Sequence, residues 1–303
     1  MSTGAAAPHP LLGVGLILVV GTIFATMDTT VRHLGAQLSV LLLLTVRYLV
    51  QAVVMGVWIT ASPRLSLRPA HPRFQALRGA LLLTVSIFSF YAVQYMPVAE
   101  FTAIHMLTPV LITLMAGIWL HERVTAGRWA LVLGAFAGTM IVIRPGSGLF
   151  GWAALLPLAG ACCYAAFQVL TRRLAGHEHP LTTHFWTGAF GSAVMLPVLW
   201  LSPVDSIAQL VAATPLQWTL MLAIGAMGTA GHLVLILAYG LAPATMLTPF
   251  MYAQIGAAAM VGWLVLGDAP DLWGWVGMAV IAACGAAIAW LNVRPAAAAI
   301  QED

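Results

Sequence analysis

Apolar stretches separated by short polar turns recur ten times along the chain, at approximately residues 11–33, 40–61, 77–96, 99–120, 124–144, 152–174, 181–201, 216–241, 245–266 and 271–293. About 18 or more residues with little charge suffice for an α-helix to cross a hydrocarbon core of about 30 Å. The connections are short and leave no room for a soluble catalytic or nucleic-acid-binding domain. The pattern predicts an all-α membrane protein with ten transmembrane helices. No basic residue precedes the first stretch and no persuasive small-residue cleavage site follows it, so it reads as a retained span.

Composition strengthens this picture. Hydrophobic residues make up 61% of the 303 residues, charged ones 7%, and the mean hydropathy is +0.96, far from the roughly 25% charge of soluble domains. All twelve basic residues are arginine. With the N-terminus in the cytoplasm, nine of them (64, 68, 73, 78, 123, 128, 172, 173 and 294) fall at cytoplasmic ends, Arg32 and Arg144 fall outside, and Arg47 lies within a span. This positive-inside bias predicts a multi-pass membrane protein with both termini cytoplasmic. The pI near 9.0 therefore reflects loop arginines and implies no nucleic-acid partner.

Two loop segments echo one another: "LHERVTAGRW" at 120–129 and "LGDAPDLWGW" at 266–275. One ungapped shift superposes Gly79 on Gly225, Pro97 on Pro243, Thr102 on Thr248, Glu122 on Asp268 and Trp129 on Trp275. The chain thus divides into two repeats, 1–148 and 149–303, of five spans each. Because five is odd, the second copy enters the membrane inverted, which is the usual construction of secondary transporters. Glu122 and Asp268 are expected to be architectural, each at a turn where the dipole of the next helix favours a carboxylate.

The paired five-span halves, "TVRYL" (45–49), "LTPVLITLMAGIWLHERVTAGRW" (107–129) and "CCYAAFQVLTRR" (162–173) resemble the drug/metabolite transporter superfamily. More narrowly, they resemble its EamA-type exporters, including exporters of aromatic amino acids. The resemblance covers essentially the whole chain and implies export of amino acids or similar metabolites by alternating access. The second half departs from the pattern where Pro109 would recur: the shift lands on Ile255, with Pro249 six residues earlier.

Polar groups at membrane depth are costly and so point to function or pairing. Asp28 and Arg47 lie at similar depths; they read either as an ion pair tying two helices or as a site for a substrate carboxylate, which a guanidinium grips through two hydrogen bonds. In span three, Phe88, Tyr91, Gln94 and Tyr95 recur at helical spacing and form either a stacking face or ordinary packing. Span eight contributes His232, which aligns with Ser86. Spans four and nine bring His105, Thr108 and Pro109, then Pro249, Tyr252 and Gln254; an intramembrane proline frees a carbonyl and favours a polar cavity, or is a plain kink. Span six adds Tyr164 and Gln168 one turn apart. Pro97 and Pro243 are expected at hinges.

Other signals carry little. "GSGLFG" (146–151) joins two spans with no strand before it, so it is no nucleotide loop. "HEHP" (177–180) with His184 reads as a solvated loop and not as a metal site. Gly134 with Gly138, and Gly225 with Gly228, read as helix-packing contacts. Cys162, Cys163 and Cys284 read as packing residues. No GxSxG or HExxH motif and no Walker motif is present, so the chain is expected to be neither an enzyme nor an ATP-driven pump, to need no cofactor or metal, and to have small-molecule amino acids and the lipid bilayer as its partners.

Overall fold

The computed structural model describes residues 10–63, 65–112, 125–144, 150–174, 179–241, 247 and 250–299. Among these residues every regular element is helical. The helices are α1 (Pro10–Gly35), α2 (Val40–Ala61), α3 (Pro72–Tyr95), α4 (Val98–His105), α5 (Ala126–Ile143), a 3-10 turn (Gly151–Ala154), α6 (Leu155–Leu174), α7 (Pro180–Leu201), α8 (Ser206–Ala212), α9 (Pro215–Leu241), α10 (Ala253–Leu266) and α11 (Leu272–Ala299). Within lipid every backbone N–H and C=O needs an internal partner, and a helix supplies it. Six described helices are long and apolar enough to cross a membrane, and four shorter apolar helices (Val98–Ile112, Trp129–Ile143, Ala253–Leu266 and Leu272–Ile288) stand at the remaining expected spans. The short α8, capped by Asp205 through the Ala208 amide at 2.8 Å, lies in a connection that the hydropathy pattern leaves empty.

The helices pack as the repeat requires. The sequence shift carries α1 onto α6, α2 onto α7, α3 onto α9 and α5 onto α11. Correspondingly, α1 lies along α9 while α6 lies along α3; α2 touches α7 and α9 while α7 touches α2 and α3; and α5 pairs with α11. Glycines bring these helices close. A Cβ on Gly277 would meet Val142 Cγ2 at 2.6 Å and the Gly138 carbonyl oxygen at 2.8 Å; one on Gly134 would meet Cys284 Sγ at 2.8 Å. At the centre the fully buried Tyr48 ring occupies the space beside Gly191.

Spans four and nine are both interrupted. After α4 the chain turns at Met106 and Leu107 and becomes helical again over 108–112; in the second half it turns at Tyr252, the residue aligned with Met106. Pro109 has no N–H for the His105 carbonyl, and the Thr108 hydroxyl donates to that oxygen at 2.8 Å instead, which is how a broken intramembrane helix keeps its backbone satisfied. Glu122, Pro243 and Pro249 lie outside the described residues, as does most of 146–151.

The repeated turn also has a finer structure. Asp271, not Asp268, caps α11: its Oδ1 accepts from the Gly274 amide at 2.8 Å. Its aligned residue, Thr125, directly precedes α5 in the same way, its carbonyl accepting from Trp129 at 3.1 Å as the Asp271 carbonyl accepts from Trp275 at 3.0 Å. Asp268 follows Gly267, which ends α10 in the left-handed region at φ 75°, and forms an ion pair with Arg32 at 3.0 Å. The helix-dipole role expected of Asp268 therefore belongs to its neighbour.

Candidate functional site

Helices from both halves enclose a central cavity that leaves about 90 Å³ to the centres of water molecules, space for several waters at roughly 10–15 Å³ each. Its polar residues are Asp28 of α1, Arg47 of α2, Ser86 and Ser89 of α3, Thr102 and His105 of α4, His232 of α9, and Gln254 of α10. Of the sequence-derived candidates, Asp28, Arg47, His105, Tyr164, His232 and Gln254 line it.

Arg47 is almost wholly buried. Its Nη1 donates to Ser86 Oγ at 3.1 Å, and its guanidinium carbon lies 4.6 Å from the centroid of the Tyr48 ring and 5.9 Å from that of Phe90. Ser86 in turn donates to the Leu82 carbonyl at 2.9 Å and stands 2.8 Å from the Tyr48 hydroxyl. The guanidinium is thus oriented from α3, while its Nε has no hydrogen-bond partner. Among the described residues the side chain of Asp28, also buried, forms neither a hydrogen bond nor an ion pair within 4.0 Å. The two groups face one cavity without joining, so the helix-tying ion pair that their matched depths suggest is not formed.

One wall carries a run of rings that Phe167 extends behind the lining. Phe101 and His105 lie 5.6 Å apart at 24°, His105 and Tyr164 5.5 Å apart at 35°, and Tyr164 and Phe167 5.6 Å apart at 12°. On the other side His232 donates from Nδ1 to the Gly228 carbonyl at 2.9 Å and meets Phe24 edge-on at 5.1 Å. Its ring is 5.9 Å from that of His184, which accepts at Nδ1 from Gln51 Nε2 at 3.2 Å and pairs at Nε2 with the Thr229 carbonyl at 3.3 Å. His184 is therefore a buried, hydrogen-bonded helix residue of α7 and not part of a solvated loop. His179 of the same motif caps α7 through the Leu181 amide at 3.3 Å.

The remaining candidates lie elsewhere. Phe88 approaches α6 beside Gly160. Tyr91 is half-buried against the core. Gln94 donates to the Val31 carbonyl at 3.1 Å. Tyr95 is exposed, its ring 5.1 Å from Trp152. Gln168 is half-buried outside the lining. Tyr252 is buried against Gly285 with its hydroxyl unpartnered. The one ring that α3 gives the cavity is that of Phe90, and the others come from Phe24 of α1, Phe101 and His105 of α4, Tyr164 of α6 and His232 of α9. Pro97 opens α4 as its N-terminal cap residue.

At the end of the molecule where α1 joins α2, charged pairs cross between the halves. Arg32 binds Asp268 and donates to the carbonyls of Met96 and, at 3.2 Å, Val93. Arg144, at φ 48° after α5, binds Asp271 at 2.6 Å. The Gly274 amide, and then Arg144, hold the Asp271 carboxyl below the ordinary carboxylate range. Buried Glu100 lies near both acids, its Oε2 without a partner. Neither these pairs nor Glu100 stood out in the sequence, since one acid in a long apolar run barely alters its hydropathy.

The profile of the EamA-like transporter family matches residues 11–144 and again residues 151–291. A riboflavin transporter of Vibrio cholerae serotype O1 is 28% identical over 285 residues, spanning 90% of this chain and 91% of its own. Another riboflavin transporter, from Rhizobium johnstonii, is 34% identical over 189 residues, which is 61% of this chain and 59% of that protein. A solved crystal structure aligns with a TM-score of 0.64 over 94% of this chain and 97% of the other at 21% identity, a likeness of fold. With two family matches, an all-helical fold and helix packing that follows the repeat, the chain belongs to the EamA-like transporter family.

Proposed function

We propose that this carrier moves riboflavin, or a closely similar flat heteroaromatic solute, across a bacterial inner membrane by alternating access between its two inverted halves, 1–148 and 149–303. The observation that carries this reading is the similarity to the Vibrio cholerae riboflavin transporter along nearly the full length of both chains. The chemistry of the lining supports this reading: rings at Phe101, His105 and Tyr164 offer stacking, and Asp28, Arg47 and Gln254 offer hydrogen bonds to a polar edge, while the cavity, which in this conformation holds only several waters, must widen to admit the solute. The nine-to-two distribution of arginines supports cytoplasmic termini and an external Arg32 end.

A second reading is export of neutral amino acids, aromatic ones included. It is favoured by the separated charges of Asp28 and Arg47, which would match an ammonium and a carboxylate. Proteoliposomes preloaded with riboflavin and given labelled riboflavin outside distinguish the two. Counterflow that riboflavin competes and amino acids do not supports the first reading; counterflow of labelled phenylalanine without any of riboflavin overturns it in favour of the second.

A further inference from the structure

We propose that Asp28 and Arg47 form a two-point reader for an imide edge, an N–H donor flanked by carbonyl acceptors such as the pyrimidine portion of a flavin ring presents. The inference rests on the riboflavin reading and assigns the part of the solute that the pair recognises. Asp28 would accept the imide N–H, and Arg47 would donate to the adjacent carbonyl.

Three observations converge. Asp28 and Arg47 are 5% and 2% exposed, and both line the same cavity. The two are not in contact: no ion pair joins them within 4.0 Å, the Asp28 side chain has no hydrogen bond among the described residues, and Arg47 Nε has no partner. Arg47 is also held in its place by other groups, through Ser86 and the Tyr48 and Phe90 rings. This chain closes ion pairs elsewhere, as between Arg32 and Asp268 at 3.0 Å. An oriented arginine and a carboxylate left apart at a cavity instead make an acceptor and a donor that a solute can occupy together, since buried charges without partners are costly and become satisfied when a complementary edge enters.

The aromatic wall favours the imide over an aliphatic zwitterion. Phe101, His105 and Tyr164 border the same cavity as successive rings inclined by 24° and 35°, an aromatic surface for a ring system. A conjugated imide carries its donor and acceptors in the plane of such a ring, so stacking and edge recognition are met by one rigid group.

The test measures binding of riboflavin and of 3-methylriboflavin, which lacks the imide N–H, to the full-length protein in nanodiscs at pH 7 by quenching of flavin fluorescence. The wild type is expected to bind the methylated analogue at least about tenfold more weakly, the scale of a hydrogen bond to a charged group. Asp28→Ala should bring the two ligands within about threefold of each other, while Arg47→Met should weaken both by a similar factor. Equal affinity of the wild type for both flavins overturns the reader and leaves riboflavin transport standing, and this comparison requires no variant to fold. Binding of neither flavin overturns the reader together with the function on which it rests. Displacement of riboflavin by phenylalanine in the wild type but not in Asp28→Ala would assign the pair to a zwitterion and likewise overturn the imide.

Discussion

Arg32 and Asp268 join the two halves of the protein, Nη2 to Oδ2 at 3.0 Å, at positions whose repeat-related partners are Glu178 and Glu122. The same shift that aligns the halves thus replaces an attractive pair by two acids of like charge. Among the described residues the contact belongs to one end of the molecule, where α1 joins α2.

Breaking that pair should favour opening of the Arg32 end. The side chains are 24% and 28% exposed, so solvent screening limits the effect to about 1 kcal/mol or less. With that end external, as proposed, a cysteine at Ser89 in a background lacking the native cysteines should react about two- to fivefold faster with an impermeant thiol reagent in Asp268→Asn cells. Exchanging the charges, Arg32→Asp with Asp268→Arg, should restore the slow rate. Unchanged reactivity in the single variant would show that other contacts keep the end closed.

Asp271 gives a dependence on pH with a definite sign. The Gly274 amide and Arg144 lower its folded-state pKa, so its stabilising contribution is fully present above the unfolded value of about 3.9 and is lost as pH falls through the lower folded value. Asp271→Ala should cost about 0.5–2 kcal/mol at pH 7, as loss of a helix cap does. The gap between variant and wild type in thermal unfolding should stay constant from pH 7 to about 5 and narrow in stronger acid. A gap that widens in acid would refute the assignment.

Much of this architecture can be read directly from the chain. The spans follow from uninterrupted apolar length, and the repeat from rare residues such as Pro97, Trp129 and Trp275 that recur at one spacing. The identity of the cavity-facing side chains is harder to read, because a lipid-facing surface is as apolar as a buried one and periodicity loses its contrast. Hence Tyr91 and Tyr95 of α3 carry the spacing of a binding face but lie in packing and at an exposed edge, whereas Phe101 and Phe90 line the cavity. Asp28 and Arg47 were legible as residues needing an explanation. Their separation was not, since it depends on Ser86 drawing the guanidinium toward α3.

Thr108 supplies a test of the broken helix. Thr108→Val keeps the shape and removes the hydroxyl that satisfies the His105 carbonyl; it should lower unfolding stability in detergent by about 1 kcal/mol. Thr108→Ser should behave as wild type. Equal melting of all three proteins would mean that the carbonyl finds another donor.

Two glycines provide opposing expectations. Gly277→Ala puts a methyl group against Val142 and the Gly138 backbone and should cost about 1–3 kcal/mol. At Gly256 a Cβ meets nothing within 4 Å, so Gly256→Ala should be neutral or stabilising by up to about 1 kcal/mol through its helix propensity. Thermal unfolding of both variants side by side checks this, and the reverse order would contradict the packing described for α5 and α11.

The seam between α5 and α11 also has a mechanical meaning. It joins the first half to the second through helices whose backbones nearly touch at Gly138 and Gly277, and neither helix contributes to the cavity lining. If the halves rock as proposed, a line along this seam would serve as their fulcrum. Rotation of one half about it would displace the neighbouring atoms little and the distant α1 and α2, with Asp28 and Arg47, much more. The leverage arises because the two glycines carry no side chains that would have to slide past each other.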